Sequence, residues 1–477
     1  MPILLKNFLE RYKMKSFLWT SSEAESATNC KSSAAWHAQG VSIDSRSLKE
    51  GDIYIALRGA NHDGHDFIKD AIAKGASCLL MDTLPKDDIS VPFLLVEDTL
   101  QALRQLGIYA RNRTKAKIIG ITGSVGKTST KEALYIAFSS VARAIANQGG
   151  LNNHWGLPLS LARIPEDIDY AILEMGMNHV GEIHDLSLMA KPHLTIITTV
   201  AEVHQEFFDS IDEIAKAKCE IFDGIVAPGV IVLNRDCSTF SLQLQKAREI
   251  QNAKIVTFGS HVESDVRLMK LTMSHNQCDV QAQIFGKSIA YHLNTNARHL
   301  AFNSLSVLSS IASFGLDVEK AASALKSFAP LSGRGKQELI HFKKGSFLLI
   351  DESYNASPIA VKAALNVLGS SQIGENGRRI FVFGDMRELG ENAQKFHADL
   401  AGSVCAENID LVYACGDLSK ALFEAIPAQK RGLHGESSEK LATHLPGIVQ
   451  SGDVIMVKGS LSMKMKLVVD SLKGLRG

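Results

Sequence analysis

The sequence predicts an α/β protein in three domains: a small N-terminal α/β domain, a central P-loop domain on a parallel sheet, and a C-terminal Rossmann-like α/β domain. Three observations predict it. The 477 residues call for two to four domains at roughly 100 to 200 residues each. Short apolar runs without polar alternation recur between helical patterns, as strands buried on both faces of a parallel sheet should read. One such run leads through a glycine-rich turn into a helix, ITGSVGKTST at 121–130.

In chain order, VSIDSR, GDIYIALRG, the helical DFIKDAIAKGA and SCLLMD make a first α/β unit, placed at 1–113. The basic stretch RNRTKAK (111–117) then enters IIGIT, and the boundary is set near 113. From 114 to 330 the runs YAILEMG (170–176), LTIITTV (194–200) and VIVLN (230–234) imply parallel strands with crossover helices. APLSGRG (329–335) punctuates the start of the last domain, 331–477. Its runs FLLIDE (347–352), RIFVFGD (379–385), LVYACGD (411–417) and DVIMVKGS (453–460) end in Asp, Gly or Lys. Polar residues there sit at strand carboxyl ends, where open α/β sheets bind ligands.

Lys plus Arg equals Asp plus Glu at 51 each, so no general field exists to hold nucleic acid or an anionic membrane. Any bound anion must be gripped locally. The seven cysteines show no close-spaced pair, which fits a reducing compartment. No signal-peptide core or run of about 18 apolar residues is present, so the expectation is a cytoplasmic protein without membrane insertion.

In the glycine-rich turn, Gly123 and Gly126 let the backbone of Gly123, Ser124, Val125, Gly126, Lys127, Thr128 and Ser129 aim N–H groups at phosphate oxygens. Lys127 adds a point charge, and Thr128 is placed to hold magnesium across the β- and γ-phosphates. The usual first glycine of a P-loop is Ile121 here, but the shorter TGxxGKT is complete. Glu174 ends the run YAILE, on the same sheet edge, and is a candidate magnesium ligand; His204, four residues beyond the next run, is a weaker one.

Lys218 is the most informative single residue. The segment SIDEIAKAKCEIF opens with a capping box, Ser210 with Glu213, and its stripe Ile211, Ile214, Ile221, Phe222 encloses Lys218. Lys216 lies off the stripe. A buried amine has a lowered pKa and can react with CO₂ or bind anions; the plainer alternative is a stem along the core with its amine reaching solvent.

With these residues in place, the chain resembles the Mur ligase family over about residues 40 to 465. TGSVGKTST, LNNHWGLPLSL (151–161), EMGMNHVGEI (174–183), the His204 loop and AKAKCEIF (215–222) are similar to its central domain. DESYNASP (351–358), GDMRELGE (384–391) and VKGS (457–460) are similar to its third domain, and GVSIDSR, ALRG and DGHDF (63–67) to its first. The resemblance implies an ATP- and Mg²⁺-dependent ligase that joins D-alanyl-D-alanine to UDP-N-acetylmuramoyl-tripeptide, ADP-forming, monomeric and free of nucleic acid. It further implies Thr128, Glu174, His204 and a carbamylated Lys218 around metal, with Lys127, Lys218 and His204 catalytic. Asn303 would meet adenine, Arg334 phosphates and Asp351 ribose; Ser45 and Arg46 would meet the uridine diphosphate and Asn153 the muramoyl-peptide side. Leu461 stands where the family usually has Arg, so the resemblance assigns no residue to the dipeptide carboxylate. The rival readings are another ligase of this fold, of folyl-polyglutamate synthetase type, and a P-loop nucleotide switch.

Overall fold

The computed structural model describes residues 17–476, apart from 60–61, 87, 202–205, 275–276 and 296. His204 therefore lies outside the described residues. After a short antiparallel pair, β1 (Trp19–Thr20) and β2 (His37–Ala38), the first main sheet runs parallel in the order β3 (Gly40–Ser42), β4 (Asp52–Ile55), β5 (Cys78–Met81), β6 (Phe93–Leu95). The helix Thr99–Arg113 closes this unit, and its Leu103 and Leu106 share one apolar cluster with Leu159 and Ala162 of the helix Gly156–Ala162. Gly107 makes that crossing close: a Cβ there would lie 2.9 Å from the Pro158 carbonyl oxygen. The first unit is thus seated on the second through packed helices.

The second sheet has nine strands: β7 (Lys117–Thr122), β8 (Ala144–Ala146), β9 (Tyr170–Glu174), β10 (Leu194–Ile197), β11 (Gly229–Asn234), β12 (Ala253–Gly259), β13 (Val266–Ser274), β14 (Gln277–Ile284) and β15 (Lys287–Leu293). Their spatial order is β15-β14-β13-β12-β11-β10-β7-β9-β8. Strands β8 through β13 pair in parallel, with Ile119 and Ile121 entering one apolar layer and Ile118 the other. The expected all-parallel sheet is extended by an antiparallel meander, β13-β14-β15. There one face is buried and one is not: Cys278, Val280, Ala282 and Ile284 turn inward while Gln277 and Gln281 are exposed. That alternation suits an antiparallel edge.

The third sheet, β16 (Lys336–Phe342), β17 (Gly345–Glu352), β18 (Arg379–Gly384), β19 (Leu411–Cys415), β20 (Arg431–Gly435) and β21 (Val454–Lys458), has the order β16-β17-β21-β18-β19-β20, with β16 alone antiparallel to its neighbour. Both large sheets contain a point where strand order reverses, at β7 between β9 and β10, and at β21 between β17 and β18. Such points open a crevice beyond the strands' carboxyl ends. All seven cysteines are free, and no helix among the described residues is long and apolar enough to cross a membrane.

Candidate active site

The turn after β7, the carboxyl ends of β9, β17 and β21, and the segment after β10 line one cavity of about 840 Å³. The turn is held by its neighbour strand. Ser124 N donates to the Thr199 carbonyl at 2.7 Å, and Thr198 Oγ1 donates to the Val125 carbonyl at 2.7 Å. Gly123 (φ 150°) and Gly126 (φ 86°) both need the conformational freedom of glycine, and a Cβ on the first would fall 2.0 Å from Thr198 Oγ1. Thr198 and Thr199 were not singled out from sequence; nothing in LTIITTV marks which threonine faces the loop.

Lys127 opens the helix Lys127–Val141, and its Nζ donates to the Gly123 carbonyl at 2.6 Å, across its own turn. Burial lowers its pKa, the Glu174 carboxylate opposes that, and Arg334 reinforces it. Thr128 Oγ1 donates to Glu174 Oε2 at 2.8 Å, and Asn152 Nδ2 donates to Oε1 at 2.7 Å. Glu174 is 1% exposed. Its backbone is clamped by Asn147, whose Oδ1 accepts from Glu174 N at 3.0 Å, while fully buried Lys131 donates to the Asn147 carbonyl at 2.6 Å.

Asn153, the asparagine expected at the substrate, caps the helix Gly156–Ala162 through Oδ1, at 3.0 Å from Gly156 N, and lies on the cavity wall. Its neighbour Asn152 is the one that binds the carboxylate. Asn303 lies on the helix Arg298–Ser313 against the phosphate turn, where a Cβ on Gly126 would come within 2.6 Å of its Nδ2. Arg334 is on the wall with its guanidinium 4.1 Å above the Tyr354 ring. Asp351 is not on the wall. Its carboxylate accepts from Ser332 Oγ and Gly333 N, both at 2.8 Å, and from Ser353 Oγ at 2.6 Å. These bonds offset the upward push of burial and leave the carboxyl below the usual range. Lys458, buried in the same wall, donates to Glu352 Oε2 and to the Asn355 carbonyl, both at 3.0 Å.

Lys218 is 2% exposed, on the helix Ile211–Cys219, with Ile214, Ile221 and Phe222 buried and Lys216 exposed, as the stripe requires. Burial, and then the charge of Lys127, hold its pKa well below the ordinary lysine value. The capping box is half formed: Ser210 Oγ accepts from Glu213 N at 3.2 Å, but the Glu213 carboxylate reaches Asp209 N, at 2.9 Å, because the chain enters the helix one residue further out. Ser45 and Arg46 do not line this cavity. Ser45 is buried with its carbonyl 2.8 Å from Lys74 Nζ, and Arg46 is exposed, its Nε donating to Asp44 at 2.9 Å.

Among the described residues no three His, Cys, Asp or Glu side chains form a metal cage. Thr128 and Glu174 nonetheless fit magnesium, a hard ion that takes few protein oxygens and keeps water and substrate phosphate as its other ligands. Chemically, the cavity joins a glycine-rich turn of the kind that holds polyphosphate to a mixed wall from a different sheet, with cations (Arg334, Lys458), carboxylates (Glu352, Glu388) and small apolar groups.

Comparisons with known proteins agree. The Mur ligase family catalytic domain matches residues 37–111, the Mur ligase middle domain 121–311, and the Mur ligase glutamate ligase domain 337–461. UDP-N-acetylmuramoyl-tripeptide--D-alanyl-D-alanine ligase of Rickettsia prowazekii (strain Madrid E) is 34% identical over 453 residues, 95% of this chain and 99% of that one. A crystal structure of MurF from Acinetobacter baumannii superposes with a TM-score of 0.81 at 27% identity, covering 96% and 99% of the two chains. That of MurF ligase from Thermotoga maritima in complex with ADP gives 0.72 at 25%, covering 91% and 97%. With matches along nearly its whole length, the chain belongs to the Mur ligase family.

Proposed function

We propose that this chain joins D-alanyl-D-alanine to UDP-N-acetylmuramoyl-tripeptide, converting ATP to ADP and phosphate, in the synthesis of peptidoglycan precursor. The observation that carries this reading is the single cavity shared by the phosphate turn and the third domain's strand ends. A nucleotide switch would have no use for the second wall, and a folyl-type ligase would not need the first domain's DSR and DGH segments. The division of labour we infer is uridine nucleotide on 1–113, ATP on 114–330 and acceptor on 331–477. The chain acts as a monomer in the cytoplasm.

A carboxylate does not condense with an amine in water, because its leaving group would be oxide. The tripeptide's terminal carboxylate oxygen attacks the γ-phosphorus in line, the bond to the β-phosphate oxygen breaks, and ADP leaves. Lys127, the N–H groups of the turn from Gly123 to Ser129 other than that of Ser124, and Arg334 spread the charge that moves onto those oxygens. Magnesium held by Thr128 and Glu174, and by the family's His204 and carbamylated Lys218 as the resemblance implies, would neutralise phosphate charge. The dipeptide amine then attacks the acyl carbon, loses a proton, and phosphate departs from the tetrahedral intermediate. Asn303 beside the turn would meet adenine, and Asp351, which braces residues 332–333, would act on ribose only by exchanging one of those bonds. Ser45 and Arg46 hold the uridine diphosphate and Asn153 the muramoyl-peptide side.

The carbamate forms when the neutral Lys218 amine adds through its lone pair to CO₂, one C=O pair moving to oxygen and one proton leaving. A lowered pKa supplies that neutral amine. The test of the whole reading is ADP release from ATP with each substrate alone and with both. Release that needs both, matched by pentapeptide product, is expected; equal release from ATP alone would replace this reading with the switch.

A further inference from the structure

The third-domain wall carries a turn that phosphate binding does not require. Residues 385–389 leave β18 and fold back, with Glu388 at φ 64°, a left-handed conformation that side chains of its size rarely adopt. Four contacts fix the turn. Buried Asp385 accepts from Ser419 N at 2.8 Å, and its carbonyl accepts from Ser460 N at 3.1 Å. Met386 N donates to Nε2 of buried His397 at 2.9 Å, and Arg387 N donates to Ser460 Oγ at 2.9 Å. Nδ1 of His397 lies 2.7 Å from the Ala393 carbonyl, so the proton sits on Nδ1 and Nε2 is the acceptor.

What the turn presents is Arg387. Its side chain is 48% exposed and lines the cavity, with Nη2 3.2 Å from Asp385 Oδ2 and 3.4 Å from Met463 Sδ. Its Nε and Nη1 take no acceptor among the described residues. The other cavity cations are engaged: Lys127 on the phosphate turn, Lys458 on Glu352 and Asn355, and Arg334 over Tyr354. One stretch of the same domain's wall, beside polar neighbours such as Glu352, Tyr354 and Glu388, is small and aliphatic. The helix Pro358–Ser370 contributes Ala360, Ala363, Ala364 and Val367, one helix face by spacing, and Leu389 of the turn belongs to the apolar cluster of Ala364. A fork-shaped cation on the same wall as that aliphatic helix face fits a ligand with one carboxylate and short aliphatic side chains.

We propose that Arg387 receives the free α-carboxylate of the incoming dipeptide and so sets the acceptor specificity. This rests on the ligase reading above. Asp385 holds the guanidinium from one side, and the dipeptide carboxylate meets the opposite donors.

The test compares D-Ala-D-Ala with its C-terminal amide, which lacks the charge, in the wild type, Arg387→Gln and Arg387→Lys, by phosphate release. The wild type should prefer the acid. Arg387→Gln should raise the KM for the acid about 10- to 100-fold, the worth of a charge-assisted fork. It should bring the acid-to-amide ratio close to one and leave the KM values for ATP and UDP-N-acetylmuramoyl-tripeptide within about twofold. Arg387→Lys should keep part of the preference. An Arg387→Gln enzyme that still prefers the acid as the wild type does, or that loses ATP and tripeptide affinity equally, overturns the proposal. A wild type that releases no phosphate with both substrates overturns the ligase reading itself, and this proposal with it.

Discussion

Glu174, the proposed magnesium ligand, is buried and met by Thr128 on one oxygen and Asn152 on the other. Lys218 is its counterpart on the opposite charge. An isolated buried ammonium costs several kcal/mol, so this amine is kept neutral or converted. Lys218→Ala should lower ligation strongly, and acetate or formate in the assay should restore part of it by occupying the vacated space. Lys216→Ala, on the exposed face, should be nearly silent. Full activity of Lys218→Ala would remove the carbamate. Lys127→Ala should abolish ligation without moving the unfolding midpoint, since its amine bonds its own turn and supports no apolar core. Activity above about a tenth of wild type would take this lysine out of the reaction.

At this scale the sequence was legible where periodicity or a motif spoke. The stripe around Lys218 and the glycines of the turn were readable because each is a local pattern. Asn152 and Thr198 were not, because which of two adjacent asparagines or threonines faces a carboxylate depends on strands brought together from elsewhere in the chain.

Among the elements, β7 and β10 start from a shared histidine. His193 Nδ1 accepts from Ile118 N at 3.0 Å, its own N donates to the Ile118 carbonyl at 2.8 Å, and its carbonyl accepts from Val230 N at 3.0 Å. Burial, helped by Lys117 and Arg111, brings its pKa from 6.5 to about 4. The folded value is the lower one, so the unfolded chain takes up the proton first. Stability from this group is complete above pH 6.5 and falls as pH drops toward about 4. His193→Asn, which keeps an acceptor near the position of Nδ1, should flatten that part of the urea-midpoint profile. An unchanged slope would show that His193 does not carry it. The parallel strands were readable as unbroken apolar runs. The meander β13-β14-β15 was missed, although CDVQAQI alternates, because an extension on a parallel sheet has the period of a half-exposed strand and not of its neighbours.

For the whole molecule, the site exists only where two sheets meet. Residues 329–335 connect them, and Arg334 leaves that connection to face the turn carrying Lys127. Arg334→Ala should therefore reduce turnover more than binding of UDP-N-acetylmuramoyl-tripeptide if, as we propose, the third domain closes to bring this arginine onto phosphate. Equal loss in both would argue against closure. The strand-end motifs of each domain could be read separately from sequence; that they meet at one nucleotide came only with the family resemblance, because no local pattern encodes how two sheets are set against each other.

On the proposed path the peptide carboxylate is phosphorylated before the amide forms. The decisive measurement labels the terminal carboxylate of UDP-N-acetylmuramoyl-tripeptide with heavy oxygen and weighs the phosphate released during ligation to D-Ala-D-Ala. The acyl-phosphate path transfers one labelled oxygen to each phosphate. Unlabelled phosphate alongside normal product would contradict it.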